Sequence, residues 1–303
     1  MLARSGIAKQ AGSALLMVLF ALVAACSGGA GNDSDIAPPA NPAIFEITDP
    51  DNTTRGWLFG TIHALPDGVE WQTPAINEVA GKAKSLMVEI ANLDNPSELS
   101  SIFASLATTR GLPLLAERVD SKHHAQLGKL VKAAGLTPAQ QRRTESWAAA
   151  LILARAAADA NPANGVDRSL IRSFSGSPVI ELEGAQAQLA IFDGLPEDAQ
   201  TALLVAVIQG NDPGTADAAQ LRSAWLTGDL AALEDAAQTG LMSDPRLRHA
   251  LMIRRNHNWL ASIEAALKSP ARPLIAVGAA HLPGPDGLIA LLEERGWNIN
   301  RLS

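Results

Sequence analysis

The chain has a single cysteine, Cys26, in 303 residues. One cysteine cannot close an intramolecular disulfide, so the fold must be held by packing alone. There is also no basic run, and the net charge is -7. A nucleic-acid partner would want a cationic face, so that class of function is disfavoured and none is expected. The sequence carries no glycine-rich phosphate loop, no His-Glu-x-x-His and no Gly-x-Ser-x-Gly. Nucleotide hydrolysis on a P-loop, zincin chemistry and a serine nucleophile on an elbow are therefore unsupported. No repeat of 20–50 residues is present either, which excludes a solenoid.

What is present begins with a processing segment. Arg4 and Lys9 supply a positive n-region, and Ala11 to Ala25 is an apolar stretch too short for a comfortable membrane span. It ends in Val23-Ala24-Ala25-Cys26, which resembles a bacterial lipobox with Cys26 as the acylated residue. Residues 1–26 are thus expected to be a lipoprotein signal peptide. Residues 27–43, rich in Gly, Ser and then Pro, are expected to be a tether. The expected location is periplasmic, on a membrane through acylated Cys26. Ser27 in place of aspartate favours the outer membrane.

Residues 44–303 should form one domain. Ile44 to Thr48 and Gly56 to Thr61 read as a hairpin across Asp49-Pro50-Asp51-Asn52. Pro74 to Ala83 reads as a helix, and Ser85 to Ile90 as a buried strand carrying Glu89 at its end. Helices follow, including one opened by Pro138 and running through Trp147 to Ala160. Asp167 is expected to cap a short helix. A strand over Ser177 to Glu183 comes next, then helices from Gln186 to Gly240 and from Pro245 to Leu267. The strand before Gly278, a helix over Gly287 to Glu294 and a last strand near Asn298 to Leu302 complete the chain. Strands separated by long helical stretches predict an α/β fold, with a mixed, largely parallel central sheet flanked by helices.

Two segments stand out. Gly56 to Thr61 and Leu274 to Gly278 are apolar strands that stop at glycine and deliver a histidine three residues later, His63 after Gly60 and His281 after Gly278. Carboxyl ends of strands are where α/β sheets assemble sites, and imidazole serves there as ligand or base. Glu89 leaves an apolar run, so its carboxylate needs a cation, a metal or a donor beside it. Glu181 and Glu183 share a strand face, and one of them should meet solvent. At about 100° per residue, Arg248, Arg255 and Asn256 fall on the stripe of Met252, Trp259 and Ile263, an inward face where polar groups need partners. His123, His124 and His257 read as solvated helix positions.

Gly60-Thr61-Ile62-His63-Ala64-Leu65-Pro66, Val277-Gly278-Ala279-Ala280-His281-Leu282-Pro283 and Arg255-Asn256-x-x-Trp259 together resemble the signatures of the TraB/GumN family. That group includes the TIKI metalloproteases and is related more distantly to the erythromycin esterases and ChaN. Glu89 and Glu183 also sit where the pattern expects acids, and the resemblance runs from Ile44 to the C-terminus. It departs at Ala64, where a larger residue is common. The resemblance implies an erythromycin-esterase or TIKI-like α/β fold and a metal-dependent hydrolase, with the TIKI branch implying a peptidase. His63, His281 and Glu89 would hold a divalent ion (Mn, Co or Zn), which would lower the pKa of bound water. Glu89 is ligand or base, and Arg255 and Asn256 complete the site, the arginine facing an oxyanion. Two other readings stay open. One is a metal-independent, esterase-like hydrolase with His63 as base, oriented by Glu89 or Glu183. The other is a non-enzymatic envelope accessory or peptide-sequestering protein. The partners implied are a lipid bilayer and a peptide or small-molecule substrate.

Overall fold

The computed structural model describes residues 40–158, 160–211 and 217–302. The expected signal peptide, Cys26 and most of the expected tether lie outside the described residues. Six strands form one sheet: β1 Ile44–Thr48, β2 Thr54–Thr61, β3 Ser85–Val88, β4 Val179–Glu181, β5 Pro273–Gly278 and β6 Asn298–Arg301. Their order is β4-β3-β5-β2-β1-β6. β4, β3, β5 and β2 are mutually parallel, while β1 runs antiparallel to β2 and to β6. The expected α/β architecture and the β1–β2 hairpin are both present.

Between β2 and β3 lies α1 (Pro74–Lys82), and between β3 and β4 come α2 (Pro96–Leu106), α3 (His124–Ala134), α4 (Pro138–Gln141), α5 (Ser146–Ala157) and α6 (Val166–Ser173). β4 leads into α7 (Ala185–Asp193), α8 (Glu197–Gly210), α9 (Asp217–Thr227), α10 (Leu230–Ala236), α11 (Pro245–Arg248) and α12 (Arg254–Lys268). α13 (Leu288–Glu293) separates β5 from β6. Among the described residues no helix is long and apolar enough to cross a membrane.

The central strands β3 and β5 and the second half of β2 are buried along their length because helices cover both faces of the sheet there, whereas the edge strands β4 and β6 are largely exposed. Successive strand side chains alternate between faces. Trp57, Phe59, Leu86, Val88 and Ala276 pack with Ile76 and Val79 of α1 and Val166 and Leu170 of α6. Leu58, Met87, Ile275 and Val277 pack on the other face against Trp259, Leu260 and Ile263 of α12 and Leu288 of α13. A third cluster fills the space between α2, α3, α5, α7 and α8.

Two helix expectations change. The helix expected from Pro138 to Ala160 is broken after Gln141 and resumes at Ser146. The backbone between is drawn into hydrogen bonds with another loop, Thr109 N–H to Arg143 O and Leu112 N–H to Arg142 O. The helix expected from Pro245 to Leu267 is continuous, but a π-helical segment, His249–Ile253, joins α11 to α12. The π turn shifts the phase of the stripe. Arg248 therefore leaves the inward face and pairs with Asp286 at 2.8 Å, with its side chain 32% exposed. His123 is also corrected: it closes a 3₁₀ turn against α8 and is buried, whereas His124 and His257 are exposed as expected.

Candidate active site at the carboxyl edge of the sheet

The strand order decides the site. β5 lies between β3 and β2, and Thr61 pairs with Gly278. The two Gly-x-x-His loops, remote in sequence, thus leave adjacent strands at the same edge. Gly60 permits this contact, since a Cβ there would lie 3.0 Å from Ala279. Glu89 follows β3, and Glu183 follows β4.

The alternation that sends Phe59 toward α6 sends Thr61 and His63 the same way. There they meet Asp167 in the first turn of α6. His63 Nδ1–H donates to Asp167 Oδ2 at 2.5 Å, and Thr61 Oγ1–H donates to Asp167 Oδ1 at 2.7 Å. Asp167 does not cap α6, because Gly165 holds the cap position and Asp167 turns inward beside Val166 and Leu170. Its carboxylate shares the apolar stripe of its helix, which is the signal that could have found it in the sequence. Burial works to lower the His63 pKa, but the charge and hydrogen bond of Asp167 outweigh it and raise it. Asp167 shows the matching change: burial would raise its carboxyl, yet His63 and Thr61 hold it below the ordinary range.

The other half lies toward α12, on the side to which Met87 points. Arg255, 2% exposed, is its hub. Its Nη2 reaches Glu89 Oε2 at 2.5 Å and Glu183 Oε2 at 2.9 Å, and Nε donates to Glu183 Oε2 at 3.0 Å. Nη1 donates to Leu251 O at 3.0 Å and to His281 Nε2 at 3.2 Å. Every N–H of the guanidinium is thereby directed at protein. The guanidinium also lies over the Trp259 ring at 4.7 Å, and Trp259 packs on His281 at 4.6 Å between centroids.

Glu89 accepts from Gly278 N–H at 2.8 Å and from Gln188 at 3.1 Å. Burial opposes its charge, but Arg255, then His281, His63 and the Gly278 N–H, hold its pKa below the ordinary value. Glu183 goes the other way: burial pushes it up, with the Glu89 charge adding to the effect, against Arg255. Asn256 Nδ2 donates to Asp286 O at 2.7 Å, which leaves its Oδ1 to accept from His281 Nδ1–H at 2.6 Å. That network sets His281 as the neutral Nδ1–H tautomer. Burial first, and the Arg255 charge second, push the His281 pKa down to about 3.

His63, Glu89, Glu183, Arg255, Asn256 and His281 therefore all belong to one edge of the sheet, and Glu181 is the glutamate that meets solvent. The carboxylate on His63 is Asp167, not Glu89 or Glu183. Asp167, Thr61 and Gln188 are the members that sequence reading missed. The expected metal ligands are another matter. His281 Nε2 and Glu89 Oε2 both face Arg255, so a divalent cation would have to displace a guanidinium from between its own ligands. Among the described residues no group of three or more His, Cys, Asp or Glu side chains is arranged to hold a metal. In this arrangement the donor set does not fit a metal, and no step is derived through one. Arg255, expected to face an oxyanion, has its N–H groups turned on Glu89, Glu183, His281 and the Leu251 carbonyl. A cleft of about 450 Å³, lined by Ala154, Val207, Leu221, Ala224, Asp235 and Leu241 among others, includes none of these side chains.

Comparison with known proteins agrees with the motifs. The uncharacterized protein YbaP of Shigella flexneri and that of Escherichia coli (strain K12) are each 29% identical over 256 residues, covering 83% of this chain and 92% of theirs. No solved structure matches. The pattern of the TraB/PrgY/gumN family matches residues 43–301, and the chain belongs to that family.

Proposed function

We propose that the protein is a hydrolase in which His63 is the acid–base residue and Asp167 its positioning partner. The observation that carries this is the chain Thr61–Asp167–His63, with its 2.5 Å imidazole–carboxylate contact at a strand end beside a buried charged cluster. With Nδ1 held by Asp167, His63 Nε2 is the atom that would take a proton from a water attacking a carbonyl and return it to the leaving group. Asp167 would stabilise the imidazolium in between. Arg255 keeps Glu89, Glu183 and His281 in place, so the floor of the site is rigid before substrate arrives. A peptide or ester carbonyl is the substrate class. The test is a peptide and ester cleavage screen of wild type, His63→Ala and Asp167→Asn. Activity that survives His63→Ala would refute it.

The metal version of this reading, with His63, Glu89 and His281 around a Mn, Co or Zn ion, is supported by one feature. Glu89 lies within electrostatic reach of both imidazoles. It requires Arg255 to withdraw. Elemental analysis decides: one equivalent of metal in wild type, lost in both His63→Ala and His281→Ala, would replace the metal-free route. A non-enzymatic envelope role would instead show as peptide binding that survives loss of both histidines. We also propose that the domain is tethered in the periplasm by lipidated Cys26, on the bilayer of the outer membrane. Palmitate labelling that persists in Cys26→Ser would sink that.

A further inference from the structure

The cleft of about 450 Å³ lies apart from the histidines, among α5, α8, α9 and α10, with the 3₁₀ turn Gly240–Ser243 also in its wall. Val207, Leu221 and Leu241 give it apolar surface. Its polar groups give it a preference. Thr239 Oγ1–H donates to Asp235 O at 3.0 Å, and Ser243 Oγ–H donates to Gly240 O at 2.7 Å. Both hydroxyl donors are thereby committed to backbone, while their oxygens keep acceptor capacity. Asn211 donates from Nδ2 to Val207 O at 2.7 Å, which leaves Oδ1 as an acceptor. Gln209 and Gln220 add amides that serve in either sense.

The charges point the same way. Among the described residues that line the cleft, Asp235 is the one charged side chain, and no lysine or arginine is present. Two helices also end here. Gln209 and Gly210 are the last residues of α8, and Asp235 and Ala236 the last of α10. The carboxyl end of a helix carries partial negative charge and favours a cation. Acceptor oxygens, a carboxylate and two negative helix ends thus meet at an apolar-walled space, in a protein of net charge -7. An anion would be repelled there. An uncharged apolar ligand would bury the carboxylate and the hydroxyl oxygens without donors, which is costly. A ligand that satisfies the whole surface brings N–H donors and positive charge on a hydrocarbon chain.

We infer that this cleft is a binding site for an alkylammonium group, with the charged nitrogen at Asp235 and the carbon chain along Val207, Leu221 and Leu241. Ligand sites commonly enclose about 300–1,000 Å³. The space therefore suits a short diamine or a lysine side chain with its flanking residues. The α9 wall also touches the first histidine motif: Trp225, next to the lining residue Ala224, donates Nε1–H to Gly60 O at 2.7 Å. The site uses no hydrolytic chemistry and stands whether or not the protein cleaves a substrate.

The test is titration calorimetry on the purified full-length protein. The probes are diaminopentane against pentanediol, and N-acetyl-Ala-Lys-Ala-amide against its Glu counterpart. At least one of the two cationic probes should bind about 10-fold or more tightly than its partner, the size of one charge-assisted contact. Asp235→Asn should remove that preference. Asp51→Asn, on the exposed β1–β2 turn, should leave it unchanged. Ala232→Trp, which puts an indole into the cleft from α10, should abolish binding in protein that circular dichroism shows to be folded. Binding of the diamine alone identifies a free amine as the source. Binding of the lysine peptide, with or without the diamine, identifies a side chain, and either result supports the site. Failure of both cationic probes to bind, or equal binding of charged and uncharged probes, overturns it. So does a loss in Asp51→Asn as large as that in Asp235→Asn, which would mark a diffuse counterion effect. Hydrolysis lost in His63→Ala with amine binding intact would keep the two readings separate.

Discussion

Arg255→Leu is the substitution with the most to say about this molecule. It deletes the guanidinium that faces Glu89, Glu183 and His281 together and replaces it with an apolar side chain. Glu89, 4% exposed in the wild type, would be left with Gly278 N–H and Gln188 as its hydrogen-bond donors. Breaking a buried pair by removing one partner typically costs about 3–5 kcal/mol, because the other charge is stranded. At about pH 7 that range is the expected loss of unfolding free energy. The sign of its pH dependence also follows. In wild type Arg255 holds the Glu89 pKa down, so the contribution is present above the ordinary 4.5 and is lost as pH falls through the folded value. In the variant burial dominates and raises that pKa, so Glu89 takes up a proton on acidification and the penalty shrinks. Urea unfolding at about pH 7 and pH 5, followed by tryptophan fluorescence, measures both. Trp259, packed at a tilt against His281 and lying under the guanidinium, is at the perturbed site. Arg255→Lys should fall between, since it restores the charge but not the planar set of donors. A loss under about 1 kcal/mol at neutral pH, or a penalty that grows in acid, would refute the view of Arg255 as the hub.

His281 should make the protein sensitive to acid. Its folded pKa is depressed from 6.5 to about 3, so its stabilisation is complete above 6.5 and is lost progressively below it. His281→Gln should flatten the stability–pH curve over that window by up to about 1.4 kcal/mol per pH unit; unchanged slope would count against the neutral tautomer. His63 has the opposite sign: its pKa is raised, so its pair with Asp167 stabilises fully below 6.5 and is lost as pH rises through the folded value. Asp167→Asn should bring the His63 pKa below 6.5, as burial then prevails, and proton NMR titration of the imidazole reads it directly. Gly165→Ala should cost about 1–3 kcal/mol in urea unfolding, since overpacking against the His63 carbonyl cannot be relieved by moving a side chain. Wild-type stability in that variant would mean the His63 loop is not clamped there.

The residues most legible in the sequence were those whose role depends on local chain geometry. Apolar strands ending in glycine announced His63 and His281, and a carboxylate closing an apolar run announced Glu89. The helix stripe announced Arg255 and Asn256, because a polar group on an inward face must have a partner. The same stripe failed for Arg248, where the π segment adds a residue to the turn and rotates everything before it. Asp167 was read as a cap because Asp commonly caps. Nothing local says that a strand end will approach the first turn of its helix.

By itself the sequence determined which segments are strands, which faces are buried, and that two histidines and a glutamate leave strands at their carboxyl ends. These follow from periodicity and composition, which act over a few residues. Only the tertiary structure decided who meets whom. The insertion of β5 between β3 and β2 brings residues 61 and 278 into register. The contact of His63 with Asp167 spans 104 residues, and that of Arg255 with Glu89 spans 166. Pairings at such separations are selected by burial and by the cost of an unpartnered charge in the assembled core. The local pattern could demand a partner for Glu89; only the packed sheet and α12 could supply Arg255.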